Sequence, residues 1–340
     1  MRVDREALLH KLEMVQPGLS SRDVVEQGNC FIFQNGRIIT YNDEVFCSLP
    51  WKELAFEGAV RAEPLLNLMR KLKEAQLDIS ENKTKSEITI IGKRRKAGIV
   101  MEAKIAGQFS SVEIPEKWTK LHEEFTNAIS IIQQCAGKDV NKYALTCIHI
   151  HPKWVEACDG YHVSRFRLKT GFKDPILLSK DSIKQISSLG MTKFSVTESW
   201  AHFKNDSGLV LSCRIHNMDY PDMSKKIQVS GEAMTLPKGL QEAIPIAEQF
   251  SADTQDDNLV LIDLKPGKMR LTGRGTSGWY VEPFTIKYNG PEISFYVPPG
   301  ILSEVVTRHN ECEVTEDNLK VSGPSWVYIT VLAQKNEEKK

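Results

Sequence analysis

The stretch Ala157-Cys158-Asp159-Gly160-Tyr161-His162-Val163 sets a thiol, a carboxylate and an imidazole within five residues. A cysteine hydrolase uses those three groups: a thiolate attacks, a histidine takes its proton and a carboxylate orients the histidine. The spacing argues against that use. Members of such a triad converge from separate parts of a chain, and alternation on either side of a turn should scatter these three side chains. Asp159-Gly160 is itself a turn signal between two β-rich runs. Cys147, His149 and His151 alternate, so a strand would project them on one face as zinc ligands. No fourth ligand stands out, and Ile148 and Ile150 explain the run as a half-buried strand. Gly273-Arg274-Gly275-Thr276-Ser277-Gly278 fits the dinucleotide fingerprint. The segment after it, "WYVEPFTIKY" (279–288), reads as a strand, where phosphate binding needs a helix.

The elements that must position these residues follow from apolar spacing. Amphipathic helices are predicted over 4–16, 64–75, 119–136, 179–189, 238–250 and 299–308, with Pro64 suited to a helix start and Pro245 expected to kink the fifth. Short β-rich runs separate them, punctuated by Asn35-Gly36, Asp159-Gly160 and Pro266-Gly267. Helix, strands, helix, strands occurs three times. The segments "ALLHKL" (7–12), "FTNAISII" (125–132) and "LQEAIPIA" (240–247) recur about 115 residues apart. The first two series close alike, on "FSSVEIP" (109–115) and "DYPDMSKKI" (219–227). The fold class is therefore α+β: three similar domains, each with two helices packed on β-sheet, at 1–115, 116–227 and 228–340, the last ending in a short charged tail.

The totals narrow the function. The 340 residues are 41% hydrophobic and 26% charged, with a formal net charge of zero. A strongly basic nucleic-acid binder would carry excess Lys and Arg, so any DNA contact must come from charge segregated by face or from a grip that does not rest mainly on charge. No apolar run is long enough to span a bilayer, and the first residues lack a signal-peptide core. Seven scattered cysteines without a CxxC pair argue for a reducing, cytoplasmic setting.

The ordered set of motifs resembles the bacterial sliding clamp family, the β subunit of DNA polymerase III. "ACDGYHVSRF" looks like the family's "ATDGHRLA" hairpin, and "DYPDMSKKI" like its "FPDYRRVLP" exit segment. "ISFYVPPGILSEVV" with "GPSWVYITVL" looks like its final helix and strand. Departures fit a divergent, phage-encoded member: Tyr161-His162-Val163 replaces His-Arg-Leu, Lys225 replaces an Arg, and Val331-Leu332-Ala333-Gln334 replaces Met-Pro-Met-Arg.

The resemblance implies a non-enzymatic, cofactor-free processivity factor of the cytoplasm, and a head-to-tail homodimer whose six domains ring double-stranded DNA. It implies a DNA polymerase and an ATP-dependent clamp loader as partners, and no membrane. An accessory ring recruiting transcription or repair proteins is the alternative use of the same fold. The implied partner-peptide pocket comprises Leu145, Cys158, Gly160, Tyr161, His162, Val163, Pro221, Lys225, Ile329, Val331 and Leu332. Phosphate contacts in the hole, independent of sequence, would come from Arg5, Lys11, Arg22, Arg70, Lys71, Lys73, Lys138, Lys142, Lys180 and Lys184. The dimer interface would join the strand around Ile99 and Met101 to Ile244, Ile246 and the strand around 279–287. The basic run Lys93-Arg94-Arg95-Lys96 reads as a hairpin tip whose charge is either solvated or meets DNA.

Overall fold

The structure, a computed structural model, describes residues 1–20, 25–53, 56–251, 259–308 and 310–334. One order of elements recurs along it: strand, helix, four strands, helix, three strands. The first series is β1 (Arg2–Asp4), α1 (Arg5–Val15), β2 (Cys30–Gln34), β3 (Arg37–Tyr41), β4 (Val45–Pro50), β5 (Gly58–Arg61), α2 (Ala62–Lys71), β6 (Gln76–Asn82), β7 (Glu87–Ile91) and β8 (Lys96–Glu102). The second is β9 (Thr119–Lys120), α3 (Phe125–Ile132), β10 (Cys147–His151), β11 (Trp154–Cys158), β12 (His162–Arg167), β13 (Ile176–Ser179), α4 (Lys180–Ile183), β14 (Lys193–Val196), β15 (Trp200–Lys204) and β16 (Val210–His216). After the short α5 (Ser224–Ile227) comes the third: β17 (Glu232–Thr235), α6 (Leu240–Ser251), β18 (Val260–Lys265), β19 (Lys268–Gly275), β20 (Gly278–Thr285), β21 (Ile293–Val297), α7 (Pro299–Arg308), β22 (Glu311–Val314), β23 (Asn318–Ser322) and β24 (Trp326–Val331), with β25 (Ala333–Gln334) added at the end.

Local chemistry fixes the start of the first helix. Asp4 caps α1 by accepting from the Ala7 N–H at 2.9 Å, and Leu8, Leu12 and Val15 form its buried stripe. Two predicted helices are shorter than their apolar pattern. The one expected from 119 begins at Phe125, because Thr119 and Lys120 pair with β14 instead. The one expected over 179–189 keeps four α-helical residues and tightens into a 3-10 turn at Lys184–Ile186. Ser188 there bonds back to the Gln185 carbonyl at 3.1 Å, the local competition that makes serine a poor helix interior.

Strand pairing repeats as well, always antiparallel. First pairs with sixth (β1–β6, β9–β14, β17–β22) and second with fifth (β2–β5, β10–β13, β18–β21). The fourth strand of one series takes the last three-strand member of the next: β4 with β16, and β12 with β24. That leaves β8 and β20. Along β8, β7 covers one edge, while β5 reaches the other only at Met101 and Glu102. β20 pairs with β19 alone among the described residues.

The chain divides into two compact units. One holds Met1–Gln134, Thr146–Val155 and Leu168–Asp219; the other holds Cys135–Leu145, Glu156–Arg167 and Tyr220–Lys340. The β4–β16 pairing lies inside the first and β12–β24 inside the second. In the second unit, α6 lies so close to β19 that a Cβ on Gly273 would sit 2.0 Å from the Ala247 carbonyl oxygen. No helix among the described residues is long and apolar enough to cross a membrane.

The first unit buries His202 on β15 completely, between Ser212 (Nδ1 to Oγ 2.7 Å) and Thr197 (Nε2 to Oγ1 3.0 Å). Burial pushes its pKa down to about 4. An unfolded chain, with an ordinary histidine near about 6.5, then binds more protons below that pH, so stability falls as pH drops from about 6.5 toward about 4. The cost should reach about 3 kcal/mol at the bottom of that window. Urea denaturation across it is expected to show a shallower decline for His202→Gln than for the unaltered protein; equal declines would exclude His202 as the source.

Candidate functional site

The opening motif is a turn built by its own aspartate. Asp159 Oδ1 accepts from the N–H groups of Tyr161 (2.8 Å) and His162 (2.7 Å), and Gly160 takes φ +101°. Asp159 Oδ2 also meets His162 Nδ1 at 2.7 Å. So the carboxylate and imidazole are not scattered as alternation suggested; the tight turn folds them together. Burial works to raise the Asp159 pKa, but these hydrogen bonds and the imidazole outweigh it and hold it below the usual range. The third member does not join. Cys158 is fully buried, and burial pushes its thiol up, with the Tyr220 hydroxyl offsetting only part of that. A thiol kept protonated in an apolar site is no nucleophile.

Cys158 is instead part of an apolar cluster in the second unit. Cys158, Val163, Ile227, Val327 and Ile329 are its buried members, with Leu145, Tyr220 and Met223 packed against them half-buried. Above it Tyr161 and Val331 stand 70% and 44% exposed, joined by the Val331 N–H donating to the Tyr161 carbonyl at 2.9 Å. His162 stacks near Tyr328, with ring centroids 6.3 Å apart. Beneath the wall, Arg165 Nε meets the buried Glu156 at 2.6 Å, and Trp326 Nε1 donates to Ser164 Oγ at 2.7 Å, tying β12 to its neighbours.

Of the predicted pocket residues, Leu145, Cys158, Val163 and Ile329 lie in this cluster, and Gly160, Tyr161 and Val331 form its rim. His162 is held by Asp159, Leu332 is buried, and Pro221 and Lys225 are exposed on the segment that carries Ile227. Tyr220, Met223, Ile227 and Val327 were not predicted. The first three lie within "DYPDMSKKI", and Val327 shares the period-two face of Ile329 and Val331.

The first unit contains the same junction with larger side chains. Asn42 Oδ1 accepts from Glu44 and Val45 as Asp159 does from Tyr161 and His162, and the Arg214 N–H meets the Glu44 carbonyl as Val331 meets Tyr161. There Tyr41 stands where Cys158 does, Arg214 where Val331 does, and Trp200, opposite Arg214, where Asn318 does. The Arg214 guanidinium lies 4.5 Å over the Trp200 ring and also bonds Asp43. Three large side chains, Tyr41, Trp200 and Arg214, meet at the first junction; Cys158, Asn318 and Val331 take their places at the second.

Other predicted residues sort by partner. Arg5 is a tie between helices, its Nη1 donating to the Met69 carbonyl at 3.0 Å and its side chain only 13% exposed, so it does not face out as expected. Arg70 bonds Glu13 across α1 and α2 at 2.9 Å, and Lys184 bonds Asp181 at 2.8 Å. Lys71, Lys73, Lys138, Lys142 and Lys184 are exposed, and Lys11 and Lys180 half-buried. Arg22 lies outside the described residues. Ile99, Met101 and Ile244 are buried in their own units rather than displayed, because strand and helix periodicity turns them inward. On these segments Val100 (70% exposed), Trp279 (64%), Ile246 and Val281 face out. His151 stacks on Trp154 at 3.6 Å, and among the described residues no three His, Cys, Asp or Glu side chains gather as a metal would require. The glycine fingerprint is the β19–β20 hairpin.

No protein-family model and no curated sequence matches the chain. Solved structures do. A DNA polymerase III β chain from Streptococcus pneumoniae superposes with a TM-score of 0.82 at 13% identity, over 98% of this chain and 99% of that one. A DNA polymerase III β subunit from Thermotoga maritima gives 0.80 at 14% over 98% and 99%. A sliding clamp from Bartonella birtlesii, bound to griselimycin, gives 0.83 at 13% over 98% and 99%. The chain has the sliding-clamp fold of the DNA polymerase III β subunits.

The Glu156–Arg165 pair is expected to hold the wall of the cluster. Arg165→Met, which removes the cation from a buried carboxylate, should cost about 3–5 kcal/mol in urea denaturation, and Glu156→Leu with Arg165→Met should cost clearly less. Equal losses would show that the pair matters only through packing.

Proposed function

We propose that the chain is a DNA sliding clamp: a closed, head-to-tail ring that encloses duplex DNA and holds partner proteins, a DNA polymerase first among them, by peptides seated on the Cys158 cluster. The threefold series supports a division into three domains at 1–115, 116–227 and 228–340, and two copies would supply six. Held this way, the protein does no covalent chemistry. Enclosure supplies the retention, and exposed lysines such as Lys71, Lys138 and Lys142 supply weak phosphate contacts independent of sequence. An ATP-dependent loader would open the ring.

The observation that carries this reading is the pair of uncovered edges, β8 and β20. Within the chain, each fourth strand finds an eighth strand of the next series, and the first eighth and last fourth are left over. A second copy can satisfy both, in a heterologous contact that closes if the rotation fits. The internal pairings also give the register. Lys96–Ile99 correspond to Val210–Cys213, since Met101 and Ile215 hold the same place opposite the fifth strand. Gly278–Val281 correspond to Val45–Ser48, since Pro283 and Pro50 face Arg270 and Arg37. Transferring the β4–β16 register sets Lys96 opposite Val281, Ala97 opposite Tyr280, Gly98 opposite Trp279 and Ile99 opposite Gly278. Exposed residues then meet exposed residues, and the Trp279 indole finds room over a glycine.

Directly opposed residues of antiparallel strands lie about 4.5–5.5 Å apart at Cα, within disulfide reach. The native cysteines are all buried and free. Gly98→Cys with Trp279→Cys in one chain should therefore yield a covalently closed dimer under mild oxidation, seen on a non-reducing gel. The shifted pair Gly98→Cys with Val281→Cys should link poorly. Monomer alone, or equal linkage by both pairs, would overturn the interface.

A further inference from the structure

We propose that the β7–β8 turn and the α2–β6 connection of the first unit together form a binding site for the phosphate backbone of duplex DNA, separate from the helices. This rests on the clamp reading for its choice of DNA. Between the two segments lies a concavity of about 840 Å³ whose cations are Arg2, Lys73, Lys93, Arg94 and Arg95. Its acids are Glu74 and Asp78, so five positive charges face two negative ones, an excess of three on a chain whose net charge is zero. Arg95 is committed to Glu74 at 3.4 Å. Among the described residues, Arg2, Lys73, Lys93 and Arg94 have no carboxylate partner, and all four are exposed. Like charges held this close repel one another unless an anion is shared between them.

The site is framed by fixed backbone. The Gly92 N–H donates to the Arg95 carbonyl at 2.9 Å, closing the turn, and the Arg5 N–H donates to the Ala75 carbonyl at 2.8 Å, pinning the facing connection. β1, β6, β7 and β8 hold both in one sheet. The chemistry that fits is a phosphodiester chain. Protein partners of such a surface would use apolar or aromatic anchors, and Ile91 is the one exposed large apolar side chain in its lining. The exposed Lys71, in the last turn of α2, extends the basic track toward the hairpin.

The test compares the full-length protein with Lys93→Gln/Arg94→Gln/Arg95→Gln, titrating a short linear duplex at several salt concentrations. Each phosphate left unneutralised lowers the slope of log affinity against log salt by about 0.9, so the triple variant should have a slope smaller by about 2–3 and bind at least about tenfold more weakly at low salt. Arg94→Lys, which keeps the charge, should retain the slope. Linear duplex needs no enclosure, so this readout stands even if no closed ring forms, and sizing of the same samples reports the ring independently. An unchanged slope and affinity would overturn the proposal. So would a poly-glutamate peptide bound by the unaltered protein but not by the variant while duplex affinity stays the same, since the site would then belong to an acidic protein.

Discussion

A strand edge carries N–H and C=O groups that must be paired or solvated, and this chain is organised around where it pairs them. Each three-strand run ends on a strand with a free edge, and each four-strand run offers one. The chain joins the offered edge of β4 to β16 and of β12 to β24. Series laid head to tail by that rule always leave one edge of each kind, here β8 and β20. The residues on them suit contact better than exposure: Val100, Trp279 and Val281 are large, apolar and outward-facing. On the proposed reading, association of a second copy would continue this internal rule.

The same rule places the Cys158 cluster. A junction between series brings a turn, a last strand and a connecting segment together, and the two junctions differ in side-chain size. Tyr41, Trp200 and Arg214 meet at the first, with Ile105, Phe109 and Val112 packed nearby. Smaller Cys158, Asn318 and Val331 take their places at the second, with Tyr220, Met223 and Ile227 packed nearby. The Asp159–His162 pair then stiffens the turn, and the thiol beside it stays buried and protonated.

Much of this was legible in the sequence. Apolar spacing marked the helical segments within a few residues, except where strand pairing claimed Thr119 and where the helix after Ser179 kept only four α-helical residues. Asp159-Gly160 was readable as a turn, but not its side-chain geometry, because an aspartate that bonds two residues ahead pulls His162 toward itself regardless of alternation. Cluster members spaced by two on β24 could be found. Tyr220 and Met223 could not, since their connecting segment has no period to read. Of the residues expected at a dimer contact, Ile99, Met101 and Ile244 are the apolar members of their segments that the core claims, while the outward-facing positions beside them, Gly98 and Val100, look unremarkable in a sequence. Arg5 likewise reads as a surface cation, and only the position of the Met69 carbonyl reveals it as a tie.

On the proposed reading the protein would stay on DNA because it surrounds it. The direct measurement is retention on nicked circular duplex DNA, after incubation with an ATP-dependent clamp loader and a high-salt wash, before and after the circle is cut. The account predicts a dimer that remains with the intact circle and is released by linearisation. Equal retention on circular and linear DNA, or a monomer never retained on either, would contradict it.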